Sequence, residues 1–327
     1  MPRILVTGAN GCTGRGVLYY LVSKGYSNVF GMVRKDPQEK IPNVEYVLGD
    51  LTDKSSILNI LRENEIDSIW HLAAAVHRHV KKKDFTKVNF EGTNNLIQAA
   101  VDCDVKSITL ASTSSVYGKI VNSPATEDHR IKPQGLYSKS KYNAEVLTKL
   151  LCEENGINGS ILRIPLIMGK CDRHFYPVVS KFVKANIMPI IGKPKHQISI
   201  VHPYDIGQAF EILSQNSKEV IECYNIYSCN SPYKELILVL EKHLVGKKRF
   251  KYYVPYPVIF AVFALYEWFH WLIFPKKQPL INREYARMIG KEWIFDTNKL
   301  EQLGYTPKMN LEEIVKDTVS EEVFPVP

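Results

Sequence analysis

Residues 4–14 read ILVTGANGCTG, a short apolar strand pattern that leads directly into a glycine-rich turn. Gly8, Gly11 and Gly14 are evenly spaced, and residues 13–23 continue with a helical pattern. Glycine permits a tight turn and a close approach of the backbone to a ligand, while the helix N-terminus adds amide donors and partial positive charge. This strand, turn and helix therefore predict a pyrophosphate-binding site of the dinucleotide-binding type.

The first half of the chain alternates between strand and helix patterns. Apolar strand patterns cover residues 4–7, 29–33, 44–48, 69–72, 108–112 and 160–164, and helical patterns cover residues 13–23, 55–62, 85–101 and 136–154. Short apolar strands separated by helices are typical of a parallel sheet that is buried on both faces. The sequence therefore predicts an α/β fold, a doubly wound parallel sheet of the Rossmann type.

After Pro165 this alternation weakens, and prolines, lysines and isolated apolar runs dominate residues 166–200. The change in composition predicts residues 1–165 as the Rossmann domain. Residues 166–327 should form mainly a smaller C-terminal substrate-binding lobe, from which some segments return to the first domain. We find no repeat, low-complexity tract or flexible linker, so we expect the two parts to share a core.

The composition excludes several classes of protein. The 327 residues include 42 Lys and Arg against 34 Asp and Glu, which leaves a net charge of +8, and 45% of the residues are hydrophobic. These values are inconsistent with a disordered, collagen-like or coiled-coil chain. The positive charge is too diffuse to indicate nucleic-acid binding and favours small anionic ligands or a membrane surface.

The six cysteines form no CxxC motif and no cluster with histidine. We therefore expect neither a metal site nor a disulfide framework. Free thiols are typical of a reducing compartment, and the N-terminal apolar run is too short for a signal peptide. Both observations favour a cytoplasmic protein.

One apolar segment complicates that interpretation. Residues 258–274 read VIFAVFALYEWFHWLIF, in which Glu267 and His270 are the strongly polar members. A spanning helix needs about 20 apolar residues and tolerates a central charge poorly. Because lysines and an arginine flank the segment, we expect either a packing helix or one that makes peripheral contact with an anionic membrane.

The end of the second strand bears on the choice of dinucleotide. Arg34 and Lys35 lie about twenty residues after Gly14, where an acidic side chain would bind a ribose 2′-hydroxyl. Arginine at this place suits a 2′-phosphate instead, so NADP is favoured over NAD. Asp36 lies close enough to keep NAD as the alternative.

Five further motifs resemble one enzyme family. They are DLT at 50–52, HLAA at 71–74, VNFEGT at 88–93, STSSVYG at 112–118 and YSKSK at 137–141. Together with the glycine-rich turn they resemble the extended short-chain dehydrogenase/reductase family, the NAD(P)-dependent epimerase/dehydratase group. The resemblance runs from residue 3 to about residue 230.

The resemblance also implies which residues meet the cofactor. It assigns the pyrophosphate to backbone amides in the turn, the adenine to the DLT motif and the nicotinamide to the HLAA motif and the loop after Arg163. With the glycine turn and Arg34, the implied cofactor site consists of Gly8, Gly11, Cys12, Thr13, Gly14, Arg34, Asp50, Leu51, Leu72, Ala73, Ala74, Asn89 and Ile164.

Thr113, Tyr137 and Lys141 occupy the catalytic positions of this family. Their chemistry also follows from the residues themselves, because Tyr137 and Lys141 lie one helical turn apart on one face. We expect the ammonium to stabilise a phenolate and lower the pKa of Tyr137, so that Tyr137 can exchange a proton with a substrate oxygen. Thr113, at the end of the fifth strand, can hold that oxygen by a hydrogen bond.

Departures from the family pattern narrow the reaction. Sugar-nucleotide 4,6-dehydratases of this family carry Asp-Glu directly after the catalytic threonine, whereas this chain has Ser114 and Ser115. Dehydration is therefore not expected. The cysteine that fucose-forming reductases of the family place near Ser115 is absent as well.

Two features point to different substrates. Where nucleotide-sugar epimerases of the family carry a phosphate-binding arginine, this sequence has Ile198, and its tail resembles sterol and 3β-hydroxysteroid dehydrogenases. The histidine- and lysine-rich loop 76–83 favours an anionic ligand instead. We therefore expect a dehydrogenase or reductase with a sterol or 3β-hydroxysteroid-type substrate, with a nucleotide-sugar 4-epimerase or 4-ketoreductase as the alternative.

A non-catalytic NADP-sensing protein on the same fold is a third possibility, which the intact Thr113, Tyr137 and Lys141 argue against. The expected partner is a small-molecule substrate. Because many relatives dimerise through the helix that bears the catalytic tyrosine, we also expect a homodimer.

Overall fold

The computed structural model describes residues 1–76, 81–170, 172–193, 195–246, 252–275, 279 and 281–320. The strands are β1 Ile4–Thr7, β2 Val29–Val33, β3 Glu45–Leu48, β4 Ser68–His71, β5 Ser107–Thr113, β6 Asn158–Ile164, β7 Leu166–Ile167, β8 Ile190–Ile191, β9 Gln197–Val201, β10 Glu222–Asn225, β11 Cys229–Pro232 and β12 Tyr253–Val254.

The helices alternate with these strands through the first half of the chain. They are α1 Cys12–Ser23, α2 Lys54–Glu63, α3 Lys82–Thr86, α4 Gly92–Val101, α5 Leu136–Glu154, α6 Tyr176–Lys184, α7 Pro203–Gln215, α8 Tyr233–Val245, α9 Tyr256–Ile273, α10 Arg283–Gly290, α11 Asn298–Glu301 and α12 Leu311–Val319. A π-helical turn at Lys87–Glu91 joins α3 to α4, and a 3₁₀ turn at Ser114–Tyr117 follows β5.

The main sheet has seven parallel strands in the order β10-β6-β5-β4-β1-β2-β3. The strand order reverses direction between β1 and β4, which is where ligands bind in open α/β sheets. The expected doubly wound Rossmann fold is therefore confirmed. All six sequence-predicted strands are present, each displaced by two residues or fewer at its ends.

Two features of this layer were not expected from the sequence. The pattern at 85–101 predicted one helix, but the chain forms α3, the π-helical turn and α4 in succession. The seventh strand, β10, has the short and partly polar sequence ECYN, and it pairs in parallel with β6. Its own sequence does not indicate a strand, and it becomes one by pairing with the edge of the sheet at β6.

A smaller layer lies at the carboxyl ends of the main strands. It contains a three-stranded sheet in the order β11-β9-β7 and a short pair formed by β12 and β8. A separate core cluster holds it together, in which Phe175, Ile198, Tyr233, Trp293 and Phe295 are buried. The boundary drawn at residue 165 stays a prediction, and α7 and β10 belong to the layer of the main sheet.

Candidate active site

The glycine-rich turn between β1 and α1 leaves no room for larger side chains. Gly8 has φ +70°, and a Cβ there would lie 2.8 Å from the backbone of Ala73. A Cβ on Gly14 would lie 2.2 Å from the Gly8 carbonyl oxygen, to which the Gly11 amide donates a 2.8 Å hydrogen bond. The turn thus brings the start of α1 against the end of β4, and its shape fits a bound pyrophosphate.

A cavity of about 1400 Å³ opens above this turn at the carboxyl ends of the strands. It exceeds the usual range of single-ligand sites, about 300–1000 Å³, so it has room for a dinucleotide and a substrate together. The following predicted site residues line it: Gly8, Gly11, Cys12, Thr13, Gly14, Arg34, Asp50, Leu51, Leu72, Ala73, Ala74, Thr113, Tyr137, Lys141 and Ile164.

Asn89 is buried behind the wall of this cavity. Its side chain accepts a 2.7 Å hydrogen bond from the Ala75 amide and donates 3.1 Å and 2.9 Å bonds to the Ala75 carbonyl and the Ser140 hydroxyl. Ser140 in turn donates to the backbone carbonyl of Tyr137 at 2.8 Å. Asn89, which lies in the π-helical turn, therefore joins the loop after β4 to helix α5.

His71, at the end of β4, is a buried link between neighbouring elements. Its Nδ1 lies 2.7 Å from Oγ1 of Thr7, and its Nε2 lies 3.0 Å from Oγ1 of Thr93. Burial and, as the smaller cause, the positive charge of Lys141 together lower the pKa of His71 to about 3. His71 is therefore neutral at neutral pH and orders the site without exchanging protons there.

Thr113, Tyr137 and Lys141 all line the cavity. Thr113 ends β5, and the hydroxyls of Thr113 and Tyr137 are hydrogen-bonded to each other. Burial raises the pKa of Tyr137, as do the negative charge of Glu284 and the neighbouring Tyr285, while the Thr113 hydrogen bond lowers it.

The sequence predicted a lowered pKa for Tyr137. That prediction is wrong for the protein without bound cofactor or substrate. The physical reason is desolvation, which penalises the phenolate and exceeds the help from neighbouring groups. Burial likewise lowers the pKa of Lys141 to about 8, against the opposing effect of Glu145.

A buried ion pair supports the catalytic helix from behind. Nη2 of Arg163, on β6, lies 2.9 Å from Oε2 of Glu145, which is one turn after Lys141 on α5. Arg163 also donates a 3.0 Å hydrogen bond to the Tyr117 hydroxyl, and Ser112 donates to Glu145. With each charge compensated, this network holds α5 against β5 and β6.

The C-terminal lobe supplies another part of the cavity wall, and sequence analysis did not identify its residues. They are Asp172, Arg173, His174, Phe175, Glu284, Tyr285, Arg287, Met288 and Trp293. The strongly amphipathic pattern of α10, REYARMIG, was the available signal, since it places Glu284, Arg287 and Met288 on one face.

Some sequence-based predictions cannot be placed. Residues 77–80 of the basic loop, and the flanking cations at 247–249, 251, 276 and 277, lie outside the described residues. Ile198, at the expected position of a phosphate-binding arginine, is fully buried in β9 and bridges to Trp293. It is therefore a core residue and does not contact substrate.

Comparison with known proteins identifies the family. Residues 4–226 match the model of the NAD dependent epimerase/dehydratase family. The chain is 24% identical over 337 residues to dTDP-D-glucose 4,6-dehydratase of Mus musculus, which covers 97% of this chain and 87% of the mouse protein. Because the family model matches more than half of the chain, the protein belongs to this family.

Solved structures agree with this assignment at the level of the fold. WbmH of Bordetella bronchiseptica, in complex with NAD+, superposes with a TM-score of 0.76 at 19% identity, covering 98% of this chain and 97% of that one. UDP-glucose 4-epimerase of Thermotoga maritima, with UDP-glucose, gives 0.72 at 21% identity and covers 97% of each chain. The protein is an enzyme with an NAD(P) cofactor, as the sequence predicted.

Proposed function

We propose that the enzyme oxidises and reduces a secondary alcohol of a nucleotide sugar, as a 4-epimerase or 4-ketoreductase. The observation that carries this proposal is the distribution of charge in the cavity. Thr113 and Tyr137 line the cavity with their hydroxyls, and Arg173 and Arg287 line the same cavity from the C-terminal lobe. Guanidinium groups suit the diphosphate of a nucleotide sugar, and a sterol offers them no partner.

The names of similar proteins support this substrate class over the sterol expected from the tail of the sequence. The mouse relative is a dTDP-D-glucose dehydratase, and the Thermotoga neighbour is a UDP-glucose epimerase. Dehydration itself is not supported, because Ser114 and Ser115 follow Thr113 and cannot provide the paired acids that expel water.

The side chains of this site can perform the proton transfers. When bound, the nicotinamide accepts or donates the hydride. Tyr137 can take the proton of a substrate hydroxyl or return it to a carbonyl, and Thr113 can hold the same oxygen through its hydroxyl. Lys141 lies one turn further on the same helix, and we expect its ammonium to favour the phenolate.

A substrate comparison tests the proposal. Purified enzyme with NAD+ or NADP+ should interconvert UDP-glucose and UDP-galactose, or enzyme with NAD(P)H should reduce a UDP-4-ketosugar, as followed by NMR and absorbance. The proposal is overturned if the enzyme turns over a 3β-hydroxysteroid or a sterol ketone and turns over none of the nucleotide sugars. The Tyr137→Phe enzyme controls for a contaminating activity.

We also propose that NADP(H) binds more tightly than NAD(H). Arg34 and Lys35 are exposed at the cavity edge beyond β2, where a 2′-phosphate would lie. Arg34→Asp should weaken NADP+ binding by about 1–3 kcal/mol, the strength of hydrogen bonds to charged groups, and leave NAD+ binding little changed. Isothermal titration calorimetry measures both constants, and tighter NAD+ binding by the wild type would contradict the preference.

A second part of the proposal concerns α9 and a membrane surface. This helix lies wholly within the described residues and contains no buried residue. Its polar side chain Glu267 faces inward and binds Arg283 at 2.8 Å, whereas Val262, Trp268 and Leu272 are more than half exposed. A helix that turns its apolar side outward needs an apolar surface, and the cations that flank it in the sequence suit anionic lipid.

The connections of α9 indicate how it would lie. Before it, β12 pairs with β8, and after it, α10 packs along it and reaches α5 through Glu284. Both ends thus return to the same body. Although α9 is, within the described ranges, the one helix long and apolar enough to cross a membrane, this geometry favours a position parallel to the surface.

Vesicle co-sedimentation tests the membrane proposal. The wild type should bind vesicles of phosphatidylcholine and phosphatidylglycerol in low salt. Trp268→Ser combined with Leu272→Ser should reduce binding about tenfold or more. Trp271 is a poor target, because it lies on the inner side with the Lys82 ammonium 3.8 Å from its ring centroid.

The matched control is Val121→Ser with Val220→Ser, which removes two exposed apolar side chains elsewhere. The membrane proposal is wrong if the wild type stays in the supernatant. If that wild type is also a dimer that the α9 substitutions disrupt, the outer side of α9 binds a second copy of the chain.

We expect the homodimer to form through α5 instead. Val146 and Leu150 lie one turn apart on its outer side and are about half exposed. Sedimentation equilibrium should show a dimer that Val146→Lys with Leu150→Lys converts to a monomer.

The described cysteines are free thiols, which supports a cytoplasmic location.

A further inference from the structure

The N-cap residue of helix α5 is Gly135, which has no side chain to offer to the first amides. Within the helix, the Ser138 hydroxyl accepts a 3.0 Å hydrogen bond from the Gly135 amide. The first amides of a helix need acceptors, and a negative charge at this end stabilises the helix.

A carboxylate from the C-terminal lobe occupies this position. Glu284, in the first turn of α10, accepts a 2.7 Å hydrogen bond from the Ser138 hydroxyl and another from the Gly135 amide. A Cβ on Gly135 would lie 2.3 Å from the carboxyl carbon of Glu284. The φ of −98° at Gly135 is open to any residue, so the backbone conformation does not require glycine. The glycine instead provides the space in which the carboxylate approaches.

We propose that Glu284 is a positioning residue for Tyr137: it caps the catalytic helix from the C-terminal lobe and holds a negative charge beside the phenol. The proposal rests on the proposed role of Tyr137. It assigns to the lobe a part in catalysis beyond binding the substrate, because the lobe must be docked on α5 for this charge to be in place.

The surroundings of Tyr137 define which groups act on its ionisation. Glu284 and Tyr285 of α10 raise its pKa, and Thr113 of β5 lowers it. Lys141 follows on α5, and the ring of Phe85 from α3 packs edge-on at 6.3 Å. Charged or titratable groups also line this cavity elsewhere, namely Arg34, Lys35, Asp50, Asp84, Lys87, Asp172, Arg173, His174 and Arg287. Arg287 and Glu267 act on Glu284 itself, and Glu267 is paired with Arg283.

The experiment measures the ionisation of Tyr137 directly, with tyrosine labelled with 13C at Cζ and the signal assigned by its loss in Tyr137→Phe. Glu284→Gln should shift the Tyr137 titration to lower pH, because it removes the negative charge that raises the pKa of the phenol. Gly135→Ala should lower it too, because the new methyl group pushes the carboxylate away without removing its charge from the protein.

Ser138→Ala is the matched control, since it removes part of the cap and leaves the charge. It should lower the melting temperature and leave the Tyr137 titration unchanged. If the Tyr137 signal follows the same pH course in wild type and Glu284→Gln, Glu284 is merely a helix cap and the proposal is overturned. The titration needs no substrate, so its outcome is independent of whether a nucleotide sugar is turned over.

Discussion

Helices α5 and α9 have nearly the same length, 19 and 18 residues, but they distribute their side chains in opposite ways. Helix α5 turns Ser138, Lys141 and Glu145 into the protein, where all three are buried. Helix α9 turns apolar side chains such as Trp268 and Leu272 outward, where they are more than half exposed.

The difference teaches where function lies in this molecule. Burial of a charged group carries a large desolvation cost, which partners offset on α5, as Arg163 does for Glu145. Exposure of many large apolar groups is unfavourable in water, which is why we propose a surface outside the chain for α9. We therefore expect the fold to satisfy the side chains of α5 and a partner to cover those of α9.

The largest expected effect comes from removing the proton-transferring group of α5. Tyr137→Phe should lower kcat about 1000-fold or more, because the phenol hydroxyl alone exchanges the proton with the substrate. Cofactor affinity, measured by calorimetry, should change little, since the ring is kept. Activity within tenfold of the wild type would remove Tyr137 from the mechanism.

The second effect tests whether the buried charges of α5 depend on each other. Glu145→Gln leaves the Arg163 guanidinium buried without its counter-charge and should lower the free energy of unfolding by about 3–5 kcal/mol. Urea denaturation measures this value. Glu222→Gln is the control, because its ion pair with Lys299 is about one-third exposed and should contribute about 1 kcal/mol or less.

The third effect is a pH dependence of the free energy of unfolding, which arises from His71 at the end of β4. The folded-state pKa of His71 is about 3, and its unfolded value is about 6.5, so the unfolded chain binds a proton that the native state excludes between these values. Stability should therefore fall as the pH falls through this window, by about 2 kcal/mol at pH 5. His71→Gln should flatten this part of the urea-denaturation profile.

The smallest expected effect sharpens the contrast with α9. Trp268→Ser with Leu272→Ser should change the free energy of unfolding by about 0.5 kcal/mol or less in the absence of lipid, because both side chains already face water. The same denaturation assay as for Glu145→Gln provides the comparison. A loss of several kcal/mol would mean that the outer side of α9 packs within the protein or its oligomer.

Much of the α/β layer could be predicted, because its information is local. The apolar strands and the glycine turn depend on periodicity and on the conformational freedom of Gly8. The same local reading failed at Asn89, where the pattern indicated one continuous helix and the chain inserts a π-helical turn. It also failed at β10, whose four residues become a strand only through pairing with β6.

The sequence by itself determined the Rossmann fold, the glycine turn and the positions of Thr113, Tyr137 and Lys141, because short motifs encode each of them locally. Only the tertiary structure decided that Glu284 lies at the start of α5, that Ile198 is a core residue and that Glu267 faces inward while Trp268 faces out. These facts depend on contacts between residues up to 146 positions apart. Such contacts arise from packing of the complete chain, and no local pattern records them.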